Sequence, residues 1–81
     1  MTLDQLASLS RVRSLAASGV ARAVRERAGL SLSEMAGTIG VGISTLSRWE
    51  RAERAPRGDA ALAYAQVLQE LLQHLPAKAS L

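Results

Sequence analysis

Arginine is the chemically capable residue that recurs in this chain. Arg11, Arg13, Arg22, Arg25 and Arg27 form one group, Arg48, Arg51, Arg54 and Arg57 a second, and beyond Gly58 only Lys78 is basic. A guanidinium is planar and offers paired N–H donors, so a cluster of them suits phosphate oxygens or the edge of a guanine. Interleaved with Glu26, Glu50 and Glu53, the same residues also fit a solvated charged face. Residues for covalent or acid–base chemistry are sparse. Cysteine is absent, which excludes a disulfide framework and a thiolate metal site, and one histidine, His74, cannot assemble a zinc site alone. His74 ends a leucine-rich stretch, where it suits a helix dipole or solvent better than proton transfer. Ser31, Ser44 and Ser47 have no His–acid pairing nearby, and no glycine loop for phosphates is present. No enzymatic activity, cofactor, metal or small-molecule ligand is expected.

The elements that position these arginines must fit within 81 residues, room for one small domain that buries only about 60% of its unfolded surface. Trp49 and Tyr64 are the sole aromatics, so Leu, Val, Ile and Ala must build the core. That palette suits a helical bundle. No apolar run approaches the roughly 20 residues of a membrane span, and Met1 to Leu9 lacks the features of a signal peptide. A soluble cytoplasmic protein, in a prokaryotic cell or a phage-infected host, is the expectation.

Thr2-x-x-Gln5 is a capping box opening a helix over about 2–17, with Leu3, Leu6, Leu9, Val12 and Leu15 as its apolar stripe. Ser18-Gly19 offers a break before a second helix that ends at Gly29, although one kinked helix also fits. Ser31-x-x-Glu34 is another capping box, and Leu32, Met35, Ala36 and Ile39 follow at helical spacing until Gly40. Ile43 to Arg51 restarts the pattern. Two short helices joined by a glycine-containing turn form a helix-turn-helix. Ala52 to Gly58, with Pro56, reads as a loop, Asp59 as the cap of a last helix, and Leu62, Ala65, Leu68, Leu72 and Leu75 as that helix's apolar line up to Pro76. Residues 77–81 read as a frayed tail to a single domain over 1–76.

Leu30-Ser31-Leu32-Ser33-Glu34-Met35-Ala36, then Ile39-Gly40-Val41, then Ser44-Thr45-Leu46-Ser47-Arg48-Trp49-Glu50-Arg51 resembles the Xre family of phage Cro and repressor DNA-binding domains. The resemblance extends more loosely over 20–68. It implies an all-α, lambda-repressor-like bundle of about five helices with a central helix-turn-helix, and a transcriptional regulator whose second motif helix, 43–51, enters the major groove. Carried onto this sequence, Gly42, Ile43, Ser44, Thr45, Ser47 and Arg48 fall at the base edges, with Arg48 suited to guanine O6 and N7 or, alternatively, to a phosphate. Ser31 and the backbone amides of Leu32 and Ser33 form an anion site at a helix start, and Arg51, Arg54 and Arg57 suit phosphates of the adjacent strand. The resemblance also implies a structural ion pair between Arg25 and Glu50.

Three positions depart from the family pattern: Leu32 where Gln is common, Gly42 where Ser or Thr caps the helix, and Ala52 where Gly often follows it. The implied partner is double-stranded DNA, with a palindromic operator if the protein forms a homodimer, and Leu68, Leu71, Leu72 and Leu75 of the last helix are the candidate interface. A protein-interaction adaptor that captures another regulator or an antitoxin-like partner through the same fold is the alternative, since fold alone does not fix function.

Overall fold

The computed structural model describes residues 1–75. Those residues form five helices, α1 (Leu3–Ala17), α2 (Val20–Arg27), α3 (Leu32–Ile39), α4 (Ile43–Glu50) and α5 (Gly58–His74), and no strand. The candidate tail 77–81 lies outside the described residues, as does the end of the 1–76 boundary. Among the described residues no helix is long and apolar enough to cross a membrane.

Local chemistry sets most of the helix ends. Thr2 Oγ1 accepts from the Gln5 amide at 3.1 Å while Gln5 Oε1 accepts from the Thr2 amide at 2.9 Å, so two otherwise unpaired donors at the start of α1 are satisfied reciprocally. After α1 the chain turns at Gly19, φ +87, which separates α1 and α2 into two helices. Gly40 closes α3 at φ +90, a conformation that disfavours any Cβ, and its amide donates to the Ala36 carbonyl at 2.8 Å.

Three boundaries and one stripe differ from the sequence-based expectations. α2 stops at Arg27 and α4 at Glu50, because each final turn unwinds through a cap residue, Ala28 and Arg51, before a positive-φ residue, Gly29 and Ala52. Asp59 does not cap α5. The cap is Arg57, with no side-chain cap bond, and Asp59 already lies in the first turn. In α1 only Leu9 and Val12 of the leucine–valine stripe are buried, joined by Ala16, whereas Leu3 is 83% and Leu6 55% exposed. The reason is periodicity: steps of three residues fall about 60° short of a full 3.6-residue turn, so four such steps wind around the helix instead of holding one face.

α5 packs most extensively against α1 and also touches α2 and α3, so it is the element on which the bundle is assembled. Ala61, Tyr64 and Leu68 are the face of α5 turned into the core, with no exposed surface. Trp49 of α4 stacks on Tyr64, ring centroids 5.3 Å apart and planes 24° from parallel. Burial of Leu68 corrects its assignment to a dimer surface, because its side chain fills this chain's own core. Leu71 and Leu75 are half-buried against that core, and Leu72 alone of the four stays exposed.

Candidate nucleic-acid interface

α3 and α4 are each eight residues long and pack on one another across Gly40–Gly42. Small residues allow this: Ala36 is buried where the helices meet, flanked by Met35, Ile39 and Leu46. α4 turns Leu46, Trp49 and Glu50 inward. At about 100° per residue, Ser44, Ser47, Arg48 and Arg51 then share an arc of roughly 100° on the opposite side. Ser44 and Arg48 are exposed, Ser47 and Thr45 are half-buried, and Ile43 at the helix start leaves 51% of its surface open. Gly42 is the N-cap, extended at φ −72, and contributes no side-chain cap bond.

The orientation of α4 is held from behind by an ion pair. Arg25 Nε donates to Glu50 Oε2 at 2.7 Å and Arg25 Nη2 to Glu50 Oε1 at 3.0 Å, a bidentate contact linking α2 to α4. Arg25 Nη1 donates to the Leu30 carbonyl at 2.8 Å, which ties the turn before α3 to the same group. Both residues are 8% exposed. The hydrogen bond to Glu50 raises the Arg25 guanidinium above its ordinary range against the opposing effect of burial. Burial, with a smaller push from the Glu50 charge, likewise raises the Tyr64 phenol, whose oxygen has no hydrogen-bond partner among the described residues.

At the start of α3, Ser31 Oγ accepts from the Glu34 amide at 3.0 Å and Glu34 Oε1 accepts from the Ser31 amide at 2.9 Å. The bond from the Ser31 amide, with a smaller contribution from the Ser31 hydroxyl, holds the Glu34 carboxyl below its ordinary value of 4.5. The Ser31 and Ser33 side chains are exposed, while the Leu32 side chain is half-buried against the core, so Leu32 offers an anion only its backbone amide. The fixed Glu34 charge tempers that site.

Beyond α4, residues 51–57 fold back on the helix: the amides of Glu53 and Arg54 donate to the Arg48 carbonyl at 2.9 and 3.4 Å. This return places Arg54 and Arg57 beside Arg48, and together with Thr45, Val41 and Trp49 they line one hollow. Arg51 takes no part in that hollow and pairs with Glu53 at 3.2 Å. The sequence places Arg13 in the first arginine group without a contact of its own, yet its Nε donates to the Pro56 carbonyl at 2.8 Å across 43 residues of chain. No local spacing announces that contact. Among the described residues no group of His, Cys, Asp and Glu suits a metal ion.

A family model described as helix-turn-helix matches residues 22–75, from within α2 through α5, and leaves α1 outside. No curated protein and no solved structure matches the chain.

Proposed function

Because the chain belongs to the Xre-like helix-turn-helix family of DNA-binding regulators, we propose that it is a sequence-specific transcriptional regulator that binds an operator and represses by occlusion. The observation that carries this reading is the pairing of an exposed polar face on α4 with a hollow of three arginines beside it. α4 enters the major groove. Ser44, Ser47 and Arg48 read base edges, Ile43 meets a thymine methyl, and Gly42 lets the backbone approach closely. Thr45, which the family resemblance puts at the base edges, lines the arginine hollow, so it joins Arg54 and Arg57 in gripping phosphates on one side, with Ser31 and the Leu32 and Ser33 amides on the other. Arg51, already engaged by Glu53, contributes least of the four arginines. Arg25 and Glu50 act behind the surface by fixing the angle of α4.

The protein acts as a homodimer, with Leu72 and the flanking half-buried Leu71 and Leu75 as the contact, in a prokaryotic or phage-infected cytoplasm. A dimer of this kind sets two recognition helices about 34 Å apart on successive major grooves, which calls for a palindromic site. Selection from a randomised duplex library tests the reading: enrichment of an inverted repeat spaced by one helical turn supports it. Enrichment of nothing over several rounds, with duplex binding absent at low salt, overturns it in favour of a protein-interaction adaptor.

A further inference from the structure

The arginines divide by partnership. Arg22, Arg25 and Arg51 pair with Glu26, Glu50 and Glu53. Arg11, Arg13, Arg27, Arg48, Arg54 and Arg57 have no acidic partner among the described residues. Of these six, Arg13, Arg48, Arg54 and Arg57 adjoin. Arg48, Arg54 and Arg57 line one hollow, and Arg54, with Arg13, lines the next, a smaller one floored by Ala16, Ala52 and Pro56.

Arg13 belongs to α1, which the family model leaves outside its match. Its guanidinium is not a free-swinging surface charge: Nε is anchored on the carbonyl of Pro56, a residue with a fully buried side chain. The two Nη groups make no hydrogen bond to a described residue. Four cations set side by side with no carboxylate between them repel one another, and a row of evenly spaced anions relieves that repulsion. A nucleic-acid backbone is such a row.

We infer that Arg13 carries the DNA-backbone contact from α4 and its following loop onto α1, so that the helix outside the family's matched segment is part of the DNA-binding surface. The inference rests on the DNA-binding reading above. Arg11 supplies the internal control. It sits two residues away on the same helix, about 200° around it, and faces the groove between α1 and α5 instead.

The experiment is a salt titration of binding to a fluorescein-labelled random-sequence duplex by the full chain and by Arg13→Gln, Arg13→Lys and Arg11→Gln. Loss of one phosphate contact lowers the slope of log K against log salt by about 0.9 and weakens binding roughly fivefold at about 0.15 M salt. Arg13→Gln shows that change, Arg13→Lys keeps the wild-type slope, and Arg11→Gln also keeps it. A wild-type slope in Arg13→Gln, or an equal fall in Arg11→Gln, overturns the inference. So does a loss that Arg13→Lys fails to restore, which makes Arg13 a strut for Pro56 and nothing more. Failure of the wild type to bind duplex at low salt removes the DNA-binding reading itself, and the inference with it.

Discussion

Replacing Arg25 by Met strands the Glu50 carboxylate, whose side chain is only 3% exposed, without its counter-charge and without either of its 2.7 and 3.0 Å donors. The Leu30 carbonyl loses its partner in the same step. Breaking a buried pair from one side costs about 3–5 kcal/mol. An 81-residue chain, at about 0.05–0.15 kcal/mol per residue, has only about 4–12 kcal/mol in total. Arg25→Met is therefore expected to remove about a quarter or more of the total stability, and at the low end of that range it leaves the protein near its unfolding midpoint. Glu50→Leu costs less, because the Arg25 left behind is 10% exposed and keeps the Leu30 carbonyl. The double variant Arg25→Met/Glu50→Leu, with an apolar contact in place of two buried charges, is more stable than Arg25→Met alone, since a buried pair breaks roughly even with hydrophobic substitutes. Urea unfolding followed by Trp49 fluorescence and far-UV circular dichroism measures all three. If Arg25→Met loses under about 1 kcal/mol, or the double variant loses the sum of the two singles, the pair does not act as a desolvated unit and the reasoning fails.

Ala52 sits at φ +60, where a side chain is strained, so Ala52→Gly is expected to raise stability by about 1 kcal/mol in the same urea experiment, and a loss refutes the strain. Tyr64→Phe removes a buried phenolic oxygen that has no protein partner, and is expected to leave stability unchanged or to raise it by up to about 1 kcal/mol. A fall larger than that shows that the hydroxyl is satisfied. For Glu34 the folded carboxyl titrates below its ordinary value of 4.5, so its ionised form contributes stability above about that pH and loses it as pH falls through the folded value. The stability gap between wild type and Glu34→Gln is expected to be open at neutral pH and closed in strong acid. A gap that does not change with pH contradicts the capping role of the charge.

What the sequence made legible was local. Thr2/Gln5 and Ser31/Glu34 announce their helix starts because a capping box is written in four consecutive positions, and Gly40 announces the turn because few other residues tolerate its φ. Asp59 misled for the same reason: it is the right residue type for a cap, but the chain enters α5 two positions earlier, with Arg57 as the cap and Gly58 as the first residue. The α1 stripe misled because a run of i+3 spacings is close to a helical repeat without being one, and the burial pattern tracks the drift from Val12 to Leu3. Leu68 reads as spare apolar surface until α1 is known to lie against α5. Long-range polar contacts were beyond spacing altogether. Arg25 and Glu50 are 25 residues apart and entered through a family resemblance, and the Arg13–Pro56 bond had no sequence signal.

Recognition of sequence by α4 is tested most directly by fluorescence anisotropy of wild type and Arg48→Ala on DNA from upstream of the protein's own gene and on a scrambled duplex, each at two salt concentrations. Wild type is expected to prefer the upstream DNA, and Arg48→Ala to lose about 1–3 kcal/mol of that preference, the worth of one bidentate base contact. Equal affinity of wild type for both duplexes, or an Arg48→Ala variant that weakens on both alike and keeps the preference, would contradict it.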